Sequence, residues 1–222
     1  MGGRDRGYAV AAALAVAGAL AMGHGARERG GQVHYRDFGG PRALWHIPDG
    51  DALPASPPTR IQIPEIDVDA PVMRVGLNRD GTVGVPPLSR AERAGWYEHG
   101  PAPGSRGPAV VLGHYDDLGG PAVFHRLHAV RPGTRVRVVR RDGAVAVFRV
   151  DAMERVPKWE FPRARVYGKV RYAGLRLITC GGRYDRADRS YRDNLIVYAH
   201  LVGSSPPKGT ATSAATTAAP PR

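Results

Sequence analysis

The chain contains a single cysteine, Cys180. It follows the run Leu175-Arg176-Leu177-Ile178-Thr179 and precedes Gly181-Gly182. This pattern predicts a thiol where a buried strand ends and a loop opens. Such a strand holds the sulfur rigidly, while the glycines let a substrate backbone come close and leave backbone N–H groups free. The plainer alternative is a small buried hydrophobe, a common fate of free cysteine. His114 has a similar setting, after Val110-Val111-Leu112-Gly113. An imidazole beside a thiol is the usual means of making a thiolate and of protonating a leaving amine. Its alternative is a structural histidine with satisfied hydrogen bonds. Arg192, in Tyr191-Arg192-Asp193-Asn194, precedes the last apolar run. A guanidinium there can hold a carbonyl or stabilise an oxyanion. Arg186 and Arg189 compete for that part.

Other chemistries fit less well. His99, His125, His128 and His200 lack the strand-end setting of His114. His125 and His128 form an H-x-x-H pair without further ligands, too little for a metal site. Asp185, Asp188 and Asp193 do not follow a calcium-loop spacing, and the arginines among them oppose a cation. No metal or organic cofactor is expected.

These residues need a scaffold. The 222-residue chain is rich in glycine (29) and proline (20), and long helical patterns are few. That favours an all-β fold with many turns. Alternating or apolar runs recur at Ile61–Ile63, Val68–Val75, Thr82–Val85, Gly95–Tyr97, Ala109–Leu112, Thr134–Arg140, Ala144–Val150, Leu175–Thr179 and Leu195–Val202. Asp142-Gly143 between two such runs is a strong hairpin signal. Pro121–Leu127 is read as a short helix. About eight strands without a long helix predict a closed or nearly closed barrel.

The flanks differ from this domain, which is placed at residues 60–202. Arg4 and Arg6 precede an apolar run from Tyr8 to Met22, the pattern of an export signal or an N-terminal membrane anchor. Residues 23–59 read as a flexible Gly/Pro-rich linker, and residues 203–222 as a disordered Ala/Thr/Pro tail. An exported chain with one cysteine cannot form an internal disulfide, so its lone thiol needs another reason. The formal net charge is +12. Nearly all of it is arginine, scattered rather than striped, so nucleic acid is not expected as a partner. An anionic envelope surface is compatible with the charge.

Several of these motifs together resemble the sortases. Leu177-Ile178-Thr179-Cys180 is similar to the sortase signature Thr-Leu-x-Thr-Cys, with Arg176 at the place of the first Thr. Gly113-His114 after a strand resembles the sortase histidine, and Arg192 before the final run resembles the sortase arginine. Further stretches resemble actinobacterial class F sortases: Ile61-Gln62-Ile63-Pro64, Pro121-Ala122-Val123-Phe124, Phe161-Pro162, Val166-Tyr167-Gly168, Cys180-Gly181-Gly182 and Tyr191-Arg192-Asp193-Asn194.

The resemblance implies an eight-stranded sortase-type β-barrel with short helices in connecting loops. It implies cleavage of a Leu-Pro-x-Thr-Gly-like sorting signal on an exported protein, between Thr and Gly. Cys180 would form a thioester and pass the acyl group to an amine acceptor, such as a peptidoglycan precursor, or to water. His114 would serve as acid and base, and Arg192 would stabilise the oxyanion, with Arg189 as the alternative arginine. Positive charge on Arg192 and on protonated His114 would favour the thiolate. Thr179, Gly181 and Gly182 would line the substrate pocket. The implied location is the extracytoplasmic face of the membrane, held through the N-terminal segment, or secretion if that segment is cleaved. Neither an L,D-transpeptidase motif nor the papain order of cysteine before histidine is present. The competing reading is a non-catalytic, basic envelope-binding module on the same barrel.

Overall fold

Ile61 and Ile63 alternate with Arg60 and Gln62, and this alternation builds the first strand of the barrel. The protein is described by a computed structural model over residues 51–117 and 119–206. The strands are β1 (Pro58–Ile63), β2 (Val68–Val75), β3 (Ala94–Tyr97), β4 (Gly107–Leu112) and the two-residue β5 (Asp116–Asp117) and β6 (Gly120–Pro121). They continue as β7 (Arg135–Arg140), β8 (Val145–Pro157), β9 (Ala173–Asp185) and β10 (Ser190–Ser205). One short helix, α1 (Arg163–Tyr167), lies between β8 and β9.

Eight strands close in the order β1-β2-β3-β4-β9-β10-β8-β7, with β7 pairing back onto β1. The expected all-β barrel is therefore the observed fold. β7 and β8 are joined through Asp142-Gly143 as predicted, and Gly143 takes φ +83 there. Most neighbours are antiparallel, but β2/β3 and β4/β9 run parallel. The second parallel pair brings the C-terminal end of β4 beside the middle of β9, just before Cys180.

Alternation along the strands makes two apolar clusters. The barrel interior holds Ile61, Ile63, Val111, Val136, Phe148, Leu175, Leu177, Leu195 and Val197, among others. A second cluster packs on the outer face, where Val110, Leu112, Val156, Ile178, Cys180, Ile196 and Tyr198 meet Phe161 and Val166. α1 thus covers part of the sheet that carries Cys180.

Several local expectations change. β9 continues through Asp185, so Cys180 sits inside a strand and not at its end. Gly181 remains paired with Asp193, which explains why Gly-Gly does not open a loop directly after Cys180. Arg192 lies within β10 rather than before it. Of the helix expected over Pro121–Leu127, Pro121 ends β6, Val123–Arg126 form turns, and Leu127 opens a single 3-10 turn at Leu127–Ala129. Thr82–Val85 contributes only a bridge between Leu77 and Val83.

Packing also reaches past both expected domain boundaries. The N–H of Leu53 donates to the carbonyl of Gly104 at 2.8 Å, Ser56 is buried, and β10 runs on to Ser205. The apolar run 8–22 and most of the expected tail lie outside the described residues. Among the described residues, no helix is long and apolar enough to cross a membrane.

Candidate active site

The parallel β4–β9 ladder places Leu112 opposite Ile178, and the N–H of Gly113 donates to the carbonyl of Ile178 at 3.0 Å. His114 and Cys180 each follow two residues on, so both lie just past the last paired rung of this ladder. Both are buried. Gly113 permits this arrangement sterically. A Cβ there would come within 2.5 Å of Phe124 and 2.7 Å of Val123. The Nε2–H of His114 donates to the carbonyl of Pro86 at 2.6 Å, which fixes the ring. That bond leaves Nδ1 as the nitrogen for proton exchange.

Cys180 is 4% exposed and belongs to the outer-face cluster. Burial pushes its thiol above the ordinary range, Lys158 pulls it down, and Asp116 pushes it further up. Lys158 thus brings a positive charge to bear on the thiol that the sequence analysis does not name. Lys158 opens the 3-10 turn after β8 and donates from Nζ to Ser190 Oγ at 2.6 Å. Asp116 accepts the hydroxyl proton of Tyr191. Burial and that acidic partner push the Tyr191 phenol well above its usual range. Tyr191 also stacks edge-on against Tyr115 and Tyr184, each at 5.2 Å between centroids. Tyr115 continues the row to His125 at 4.5 Å. This aromatic wall joins the segment after His114 to the β9–β10 hairpin.

The β9–β10 ladder pairs Tyr191 with Tyr184 and then Asp193 with Gly181, so the register shifts at Arg192. The extra residue is on β9, where Gly182 and Arg183 stand across from Arg192 alone. Its guanidinium donates to Asp185 Oδ2 from Nη2 at 2.7 Å and from Nε at 3.1 Å, and its side chain is 53% exposed. Arg192 in turn holds the Asp185 carboxyl below the usual carboxylate range. Arg189 occupies the connecting turn with φ +47.

The other expected site residues fall in different places. Gly181 is buried in the ladder, and Gly182 has φ +76 with Asp193 packed against it. Thr179 is fully buried and faces the barrel interior, paired with Leu195 and next to Leu177 in the alternation. Its hydroxyl points away from the Cys180 face, so the contact expected of it there is not available. His125 and His128 hydrogen-bond to the carbonyls of Tyr115 and His125. An open, acidic groove of about 310 Å³ lies beside β2 and β6, lined in part by Asp67, Asp69, Glu92 and Asp117.

Sequence reasoning missed Lys158, Asp116, Tyr191, Asn194 and the Pro86 carbonyl. Tyr191 and Asn194 lay in a motif where only Arg192 had received a role. Asn194 is the signal that was readable, as a polar residue opening an apolar strand run. Lys158 offered only the rarity of lysine in the chain.

Residues 61–202 match the family model described as "Sortase domain". The chain belongs to the sortase family. Sortases are cysteine transpeptidases of the cell envelope, acting on sorting-signal substrates and amine acceptors. Among solved structures, this sortase is similar to the SrtA sortase from Actinomyces oris, with TM-score 0.54 and 20% identity over 70% of this chain and 88% of that one. It is also similar to sortase A of Listeria monocytogenes, with TM-score 0.51 and 15% identity over 68% and 90%. A third is sortase C-1 from Actinomyces oris, with TM-score 0.51 and 21% identity over 65% and 73%. At these identities the likenesses establish the fold alone. No curated protein sequence matches the chain.

Proposed function

We propose that this sortase is of the class F type and cleaves a Leu-Pro-x-Thr-Gly-like sorting signal between Thr and Gly. The reading is supported by the lone cysteine of a sortase domain, which follows the last β4–β9 rung by two residues, as His114 does on the other strand. The Cys180 sulfur attacks the Thr carbonyl carbon after its proton passes to His114 Nδ1. The tetrahedral intermediate collapses, the Thr–Gly bond breaks, and His114 returns a proton to the leaving glycine amine. An incoming amine, deprotonated by His114, then attacks the thioester and releases the thiol. A peptidoglycan precursor is the acceptor class that fits an envelope enzyme, and water gives hydrolysis.

Arg192 stabilises the oxyanion once the substrate draws its guanidinium away from Asp185. The N-terminal segment 1–22 holds the domain, about 60–202, at the outer face of the membrane or directs its secretion, with 23–59 as spacer and 203–222 as tail. The test is incubation with a Leu-Pro-x-Thr-Gly peptide and an amine acceptor, for wild type and Cys180→Ala. Wild type is expected to form a thioester seen by intact mass and to yield the transfer product, and Cys180→Ala neither. Absence of cleavage by wild type across a panel of sorting signals would refute the reading and favour the non-catalytic envelope-binding module.

A further inference from the structure

Asn194 stands directly opposite Cys180 in the β9–β10 ladder and opposite Val156 of β8 on its other side. The β9–β10 register is unbroken from Asp193 to His200, so side chains alternate regularly along this stretch. Ile196 and Tyr198 therefore share a face with Asn194. Both pack with Ile178, Cys180 and Val156 in the outer cluster. Directly opposed residues of an antiparallel pair have Cβ atoms about 4.5–5.5 Å apart. The carboxamide thus lies on the face of the sheet that carries the Cys180 sulfur.

Asn194 is 0% exposed, and neither Oδ1 nor Nδ2 has a hydrogen-bond partner among the described residues. A buried amide left unpaired is costly, and buried polar side chains are paired in the large majority of cases. Packing alone does not call for it. The ladder uses only its backbone, and the next positions, Leu195 and Ile196, show what the strand carries where burial is the sole demand. Thr179 provides an internal comparison. Its Oγ1 is also buried without a partner, but it faces the barrel interior, away from the sulfur.

A neutral thiol asks little of an amide donor, whereas a buried thiolate needs donors. Burial already holds the Cys180 thiol high, offset in part by Lys158. We propose that Asn194 is a positioning residue for the Cys180 thiolate, its Nδ2–H turning onto the sulfur when the thiol proton leaves to base. The amide that is unpaired beside the thiol becomes paired beside the thiolate, so its cost falls in the reactive state. The same contact fixes the direction from which the sulfur attacks. This inference rests on Cys180 being the nucleophile proposed above.

The test follows the thiolate ultraviolet absorbance of the full chain against pH, with Cys180→Ala subtracted as baseline. Cys180 is the only cysteine, so the difference signal belongs to it. Asn194→Leu is expected to raise the thiol midpoint by about one pH unit or more, the scale of one hydrogen bond to a charged group. Thr179→Val is expected to leave the midpoint within about 0.3 unit, well under that scale. Both variants are expected to melt at or above the wild-type temperature, because each removes a buried unpaired polar group. A merely structural Asn194 predicts that gain in stability with an unmoved midpoint, which would overturn the proposal. An equal shift in Thr179→Val would overturn it too. Should Asn194→Leu fail to fold, Asn194→Ala is read by the same criterion. The measurement uses no peptide, so it separates the two ideas: a shifted midpoint in a chain that cleaves no sorting signal would sink the proposed substrate and reaction and leave the Asn194–thiolate contact standing.

Discussion

Gly182→Ala probes how the hairpin behind Cys180 is held. Gly182 has φ +76, where a side chain costs about 1–2 kcal/mol. An ideal Cβ would also lie 2.1 Å from Asp193 Oδ2, 2.5 Å from its Cγ and 3.0 Å from its Cβ. The carboxylate can swing aside, but the Asp193 Cβ is fixed by the ladder, so β10 itself must give. Overpacking of this kind costs about 1–3 kcal/mol. The two effects together amount to about 2–5 kcal/mol, or roughly 5–15 °C in melting temperature for a domain of this size. Asp193 is adjacent to both Arg192 and Asn194, so turnover is expected to fall by more than the loss of folded protein. Gly181→Ala is the control. Its nearest neighbour would be the Leu195 Cβ at 3.6 Å, an ordinary contact, and its φ is not positive. Thermal melts followed by peptide-cleavage rates on the folded fraction decide the matter. Equal melting temperatures for the two variants, or a fall confined to Gly181→Ala, would refute the reasoning.

Other substitutions separate roles within the site. Arg192→Ala is expected to abolish turnover while leaving the fold intact, since its ion pair with Asp185 is half exposed and contributes little; steady-state kinetics beside a thermal melt check this. Arg189→Gly removes a side chain from a turn with φ +47 and is expected to raise stability by roughly 0.5–1 kcal/mol with turnover unchanged. Loss of turnover in that variant would transfer the arginine role to Arg189. The Cys180 thiol is expected to titrate above the ordinary thiol range, because burial disfavours its anion, and Lys158→Met is expected to move it higher still. A midpoint that falls in Lys158→Met would contradict the assigned charge.

The barrel was legible because strands advertise themselves by alternation. Ile61-Gln62-Ile63 and the runs on both sides of Asp142-Gly143 predicted paired strands whose burial follows that pattern. Gly181-Gly182 misled at one point. Both glycines look like loop, yet only Gly182 adopts a left-handed conformation while Gly181 keeps its ladder pairing. The resemblance implies that Thr179 lines the pocket with Cys180, but adjacent residues of a strand face opposite sides. Arg192 is legible as a candidate, whereas its ion pair with Asp185, seven residues back across the hairpin, is seen only in the fold. Lys158 and Asp116 act on Cys180 from segments remote in sequence, so only the fold reveals them.

The arrangement separates stability from chemistry by face. The interior cluster closes the barrel, while Cys180 and its neighbours occupy the outer face under Phe161 and Val166. On that face the three expected groups are each engaged elsewhere. His114 donates to the Pro86 carbonyl, Arg192 is bound to Asp185, and the Cys180 thiol is held protonated by burial. The proposed reaction therefore involves an exchange of partners. Under it, Arg192 trades Asp185 for the substrate oxyanion, and the thiol passes its proton to the His114 ring. Asn194 differs from all three, because its carboxamide has no partner to give up among the described residues. A group with nothing to exchange adds stabilisation to the charged state without a matching loss, which is why a single uncharged side chain can matter at this site.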